Sequence, residues 1–156
     1  MKKTLTAPLA GLAGLIVLVL TLGLTGCSLS ENNSGQVTIE GDVYTVRYAS
    51  SDEERRQGLS HVTDMQNNEG MLFVYAVDGE RTFWMKDTPL DLTAIWIRDK
   101  KVVGVTAMKP CMGQGDNCAK YNSPGQVDMV LEIRTEAAPN GYPTRAEVLV
   151  RDIHSN

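Results

Sequence analysis

Histidine is nearly missing: His61 and His154 are the only two in 156 residues. His61 lies in a polar stretch and His154 close to the end. Neither stands in a metal-ligand spacing, which argues against a histidine-bound metal or a histidine-activated nucleophile. Basic residues are also few, 15 Lys and Arg against 19 Asp and Glu, for a net charge of −4. An acidic balance disfavours nucleic acid and anionic lipid as partners. There is no phosphate-cradling glycine loop, no Gly-x-Ser-x-Gly elbow and no His-Glu-x-x-His. No cofactor is implied, and the catalytic set is empty at this level.

What the chain does have begins at its amino end. Met1-Lys2-Lys3 is followed by an uncharged apolar run over residues 7–24, then Leu24-Thr25-Gly26-Cys27. A basic start, an apolar middle and small residues before a cysteine read as a lipoprotein signal peptide, 1–26, with lipid attached at Cys27. The alternative is an uncleaved membrane helix, since the run is close to the ~20 residues a span needs. Gly11, Gly14, Gly23 and Gly26 weaken that alternative, and a polar tract follows with no basic stop. Loss of Lys2 and Lys3 takes the basic residues from 15 to 13 against 19 acidic, so the remainder carries −6. Residues 27–36 read as the lipidated cysteine and a flexible polar tether. Residues 37–156 read as one folded domain. The expected address is extracytoplasmic, on a membrane, with the anchor lipid as the first partner.

Cys111 and Cys118 bracket a Gly-rich loop, and in an oxidising compartment such a pair usually forms a disulfide. A metal site or redox pair is the alternative. Two thiols with no histidine nearby make a poor zinc site, and the spacing is not Cys-x-x-Cys.

The rest is dominated by strand signals. Val37–Glu40 and Val43–Tyr48 flank Gly41-Asp42, a hairpin turn pair. Ser51 with Glu54 three residues on forms a capping box, and Gly58 ends a helix of about two turns. Met71–Ala76 is a continuous apolar run, as in a strand buried on both faces. Strands follow at Thr82–Lys86, Asp91–Ile97, Val102–Met108, Val127–Ile133 and Ala146–Arg151. In Val127–Ile133 the alternation turns Leu131 and Ile133 inward and Asp128 and Glu132 outward. About eight short strands and one short helix predict a mainly β, single-domain antiparallel sandwich of jelly-roll type.

Several linked stretches then carry a resemblance. They are Glu54-Arg55-Arg56-Gln57-Gly58-Leu59, Glu69-Gly70-Met71-Leu72-Phe73-Val74-Tyr75, and Phe83-Trp84-Met85-Lys86-Asp87-Thr88-Pro89-Leu90-Asp91-Leu92. Cys111, Cys118, Tyr121 and Val130-Leu131-Glu132-Ile133 complete the set. Over residues 55–133 the chain resembles the domain of unknown function 192 family. The resemblance implies a compact β-sandwich, often exported or membrane-tethered, and no activity. The chain departs from the family at Gly58-Leu59-Ser60-His61, where Gly-Leu-Met-Arg is usual. It also departs after residue 133, where a Gly-rich end is usual.

The candidate ligand site lies in 83–91, with Trp84, Lys86, Asp87, Thr88 and Asp91, and Arg55 as a further contributor. A flat aromatic, a cation, carboxylates and a hydroxyl at one connection suit a small polar or saccharide-like ligand. The bland reading stands beside it: Asp87 and Thr88 before a proline are ordinary turn residues, and Trp84 fills the core. Arg55 with local acids, and Glu132 with Lys86 or Arg55, have equally plain readings as ion pairs. Three functions therefore compete. The first is a lipid-anchored binding domain of the cell envelope. The second is a protein-interaction or envelope-assembly module, and the third a hydrolase using Asp87 and Asp91.

Overall fold

The structure, a computed structural model, describes residues 33–152. The candidate leader, Cys27 and the first part of the tether lie outside the described residues, as does His154. Nine strands and one α-helix occur among those described. They are β1 (Ser34–Ile39), β2 (Asp42–Ala49), α1 (Asp52–Gln57), β3 (Glu69–Gly79) and β4 (Thr82–Trp84). Then come β5 (Leu92–Arg98), β6 (Lys101–Met108), β7 (Lys120–Asn122), β8 (Val127–Arg134) and β9 (Val148–Asp152). β1 starts at Ser34, so the expected tether gives up residues 34–36 to the sheet.

The mainly β, single-domain architecture is present. Seven strands form one sheet in the order β6-β5-β8-β3-β2-β1-β9, and β4 pairs with β7 in a second, two-stranded sheet. The large sheet is mixed rather than wholly antiparallel, because β2 and β3 run parallel. A parallel neighbour cannot be reached by a tight turn. Residues 50–68 supply the crossover, and α1 lies on it. The sheet also curls until its ends meet. Val102 N–H donates to Ala146 C=O at 2.9 Å and Arg145 N–H to Val102 C=O at 2.7 Å, just ahead of β9.

Local chemistry accounts for the turns. Ile39 pairs directly with Asp42, leaving Glu40 and Gly41 as a two-residue loop with φ of 50° and 94°. That is the left-handed geometry a tight hairpin needs. Asp99 and Lys100 repeat it between β5 and β6, with φ of 50° and 57°.

Two cores result. One fills the inside of the curl, with Ile39, Val46, Leu72, Ile95, Leu131 and Ile133. The other lies on the outer face of β3, β8 and β5, where Phe73, Val130, Ala94 and Trp96 are covered by Leu59, Phe83, Met85 and Leu90. β5 separates the cores and is buried on both faces, six of its seven residues in a row. Phe83 stands edge-on to Phe73 and Trp96, with ring centroids 4.8 and 5.5 Å away. Cys111 and Cys118 are bonded and buried in this second layer.

Candidate functional site

A cleft of about 200 Å³ opens where α1 faces β4 across the outer core. Its lining includes Arg55, Arg56, Gly58, Ser60, Phe73, Tyr75, Phe83, Trp84 and Glu132. Each part is positioned by local chemistry. Ser51 Oγ accepts the Glu54 N–H at 3.2 Å, and Glu54 Oε2 accepts the Ser51 N–H at 2.9 Å, so the capping box forms as expected. The Ser51 and Ser50 backbone N–H groups, with the Ser51 hydroxyl, hold the Glu54 carboxyl down at about 2. The cap aims Arg55 inward. Its guanidinium donates to Val74 C=O at 2.9 Å and to Ser50 C=O, and lies 5.1 Å from the Tyr75 ring centroid. Arg81 lies 3.9 Å from the same ring centroid. Gly58 closes the helix at φ 49°, a left-handed geometry, and a Cβ there would come within 3.3 Å of Phe73.

Glu132 is the residue that sequence reasoning misplaced. It was expected to face outward and to meet Lys86 or Arg55 in an ion pair. It is only 4% exposed. Alternation does turn it away from Leu131 and Ile133, but that face of β8 is covered by the second layer, so the side chain enters the cleft floor. Its strand neighbours in register are Met71 and Ala94, which offer no hydrogen bond from their side chains. Among the described residues no donor or cation pairs with its carboxyl, and burial alone pushes it up to about 8. A carboxyl in that position is the neutral acid at pH 7.

The expected cluster at 83–91 is divided. Trp84 is 40% exposed and lines the cleft, so it is not core; the core tryptophan is Trp96, which is 0% exposed. Lys86 lies beside Trp84, its Nζ 5.1 Å from the ring centroid, and pairs with Asp116 at 2.8 Å. That partner raises the Lys86 pKa and lowers that of Asp116. Asp87 takes φ 54° and its carbonyl accepts the His61 N–H at 2.8 Å. Thr88 is buried, its hydroxyl donating to Lys86 C=O at 3.3 Å. Asp91 pairs with Lys109 at 3.0 Å. The turn reading therefore describes Asp87 and Thr88, while Lys86 and Asp91 are each paired elsewhere. Of the six residues named in advance, Arg55 and Trp84 meet at the cleft. Arg55 also has the plain ion pair expected of it, with Asp52 at 2.6 Å.

Sequence reasoning missed Tyr75, Phe73 and Ser60 as lining residues. Ser60 stands at the departure from the family pattern, and its hydroxyl donates to Lys86 C=O at 3.0 Å. The signal available for Glu132 was a single acid inside Val130-Leu131-Glu132-Ile133. Among the described residues no group of three His, Cys, Asp or Glu converges as a metal site would require.

Comparison with known proteins places this geometry in a family without assigning it a task. Residues 35–141 match the domain of unknown function 192, described as an uncharacterized ACR. A protein of unknown function from Novosphingobium aromaticivorans superposes with a TM-score of 0.68 at 26% identity, covering 78% of this chain and 89% of that one. A candidate transcription regulator from Sinorhizobium meliloti superposes with a TM-score of 0.65 at 23% identity, covering 75% and 93%. At that identity the second likeness speaks to the fold alone. No curated protein matches the chain. With more than half of its length inside the match, the chain belongs to the domain of unknown function 192 family.

Proposed function

We propose that this chain is a lipid-anchored β domain of the cell envelope that binds a small polar or saccharide-like ligand in the cleft above Glu132. One observation carries the binding reading: a buried, unpartnered carboxyl under an aromatic-walled opening bordered by Arg55. Its oxygens are not sealed off but open onto the cleft, so water serves them in the free protein, and a ligand that replaces that water with a direct hydrogen bond gains affinity. The cleft is small. At ~30 Å³ per water it holds roughly six or seven waters, the room of a single ring and not of an oligosaccharide. The anchor rests on Lys2, Lys3, the apolar run and Cys27, and the intact mass of the membrane-extracted protein tests it.

Native mass spectrometry of residues 28–156, gently purified after export, tests the binding reading. A native mass above the denatured mass, lost in Trp84→Ala, is the expected result. If Trp84→Ala and Glu132→Gln both leave every detected binding unchanged, the cleft is not the site.

A protein-interaction role has one observation in its favour. Val43 and Leu149 are exposed and flank Thr38 across β2, β1 and β9. Crosslinking in cells that captures a stable partner at this face, with no small ligand bound, would favour it. Asp87 and Asp91 do not line the cleft, and Asp91 is paired with Lys109, so a carboxylate-dependent hydrolase draws no support from this site.

A further inference from the structure

We propose that Glu132 is the recognition group of the cleft and that the ligand it selects is a single six-membered ring bearing a carboxylate. The inference rests on the binding reading above and deepens it. Phe73, Phe83, Tyr75 and Trp84 supply flat apolar walls, which suit a ring. Arg55 and Arg56 are the ionised groups of the lining, and their acidic partners Asp52 and Glu53 turn to solvent, with side chains 89% and 81% exposed. Each of these arginines is compensated by its acid, and the excess charge at the opening is that of Arg81, which lies over the Tyr75 ring with no acidic partner among the described residues; that excess disfavours an ammonium ligand. A protonated carboxyl donates one short, charge-assisted hydrogen bond to a carboxylate oxygen. The bond Glu132 lacks within the protein is one that a ligand carboxylate can accept.

Regulation by pH follows from the same geometry. Once ionised, Glu132 repels the ligand, so binding above about pH 8 must take up one proton. The cleft around Glu132 draws its lining from several elements. α1 brings Arg55 and Arg56, and β3 brings Tyr75, whose hydroxyl burial shifts upward. β4 brings Thr82 and Trp84, and β5 brings Ala94. Arg81 reaches the site through the Tyr75 ring. His61 follows Ser60 in the chain but does not line the cleft. Glu132 is then the group that titrates between pH 6 and 9, and affinity falls about tenfold per pH unit above its midpoint.

Isothermal titration of residues 28–156, which contain both cores, tests this with four probes: glucuronate, benzoate, glucose and glucosamine. Wild type, Glu132→Gln and Trp84→Ala are compared from pH 6 to 9. The expected result is binding of one or both acids by wild type, weakening about fivefold from pH 8 to 9 for a midpoint near 8, with proton uptake read from buffer-dependent heats. Glu132→Gln should bind with a flat pH profile. A preference for glucuronate identifies an acidic sugar, and a preference for benzoate an aromatic acid. Binding of glucose or glucosamine equal to the acids overturns the carboxylate class and leaves the cleft as a site. An unchanged pH profile in Glu132→Gln overturns the role of Glu132. No binding of any probe, or binding indifferent to Trp84→Ala, overturns the cleft itself.

Discussion

Glu132→Gln is expected to stabilise the domain at neutral pH, and the size of the gain depends on pH in a defined way. In the unfolded chain the carboxyl ionises near 4.5, and in the fold burial pushes it up to about 8. Below pH 4.5 both states hold the proton and the group adds no pH dependence. Between the two values the folded state binds the extra proton, so stability falls as pH rises. Above about 8 both states are ionised and the curve levels. The span from 4.5 to about 8, at about 1.36 kcal/mol per pH unit, comes to roughly 5 kcal/mol. Glutamine keeps the shape and carries no charge. The difference between the two proteins should therefore be small at pH 4.5 and grow by several kcal/mol by pH 8. Urea unfolding followed by circular dichroism at half-unit pH steps reads it directly. Parallel curves for the two proteins from pH 5 to 8 would mean that Glu132 is solvated or paired, with no burial penalty to lose.

Further expectations concern the frame around the cleft. Replacing Cys111 and Cys118 with serine opens a loop with a sequence separation of 7, and the chain-entropy treatment puts the cost at about 2–3 kcal/mol; denaturant midpoints check it. Phe83→Ala removes the ring held edge-on by Phe73 and Trp96 and should cost about 3–5 kcal/mol, read from the same curves. Glu54 carries the opposite sign to Glu132. Its carboxyl is held at about 2, so the helix cap is intact above pH 4.5 and is lost as pH falls through about 2. The amide signals of Ser50 and Ser51 should follow that midpoint in an acid titration.

Much of the frame was legible in the sequence. A continuous apolar run marked β3 as a strand, and it is buried over Gly70–Phe73, although Ala76 is exposed. Ser51, Glu54 and Gly58 marked a short helix and both of its ends. The hairpin around Gly41 was readable because its chemistry is local, although the loop is Glu40-Gly41 and not Gly41-Asp42. What escaped was set by contacts between distant segments. β7 is three residues long and forms only against β4. The parallel β2–β3 pair depends on the crossover at 50–68, which local pattern does not assign to a neighbour.

The site followed the same division. Arg55 and Trp84 were named from residue type, and it is the crossover that brings α1 opposite β4. Asp87 and Asp91 were grouped because they are close in sequence, but Asp91 pairs with Lys109 and neither residue lines the cleft. Glu132 was assigned to solvent because period-two alternation distinguishes the two faces of a strand but not whether the outer face is covered. Here the layer carrying Leu59, Phe83 and Met85 covers it.

In the proposed site Glu132 forms the neutral, buried floor of the ligand cleft. Its most direct test is the carboxyl ¹³C shift of Glu132, followed from pH 4 to 10 with and without glucuronate or benzoate. A midpoint near 8 in the free protein, moving upward when the acid is added, is the predicted result. A midpoint below about 5, unmoved by either acid, would mean that Glu132 is an ordinary solvated carboxylate, and the account of the cleft would be wrong.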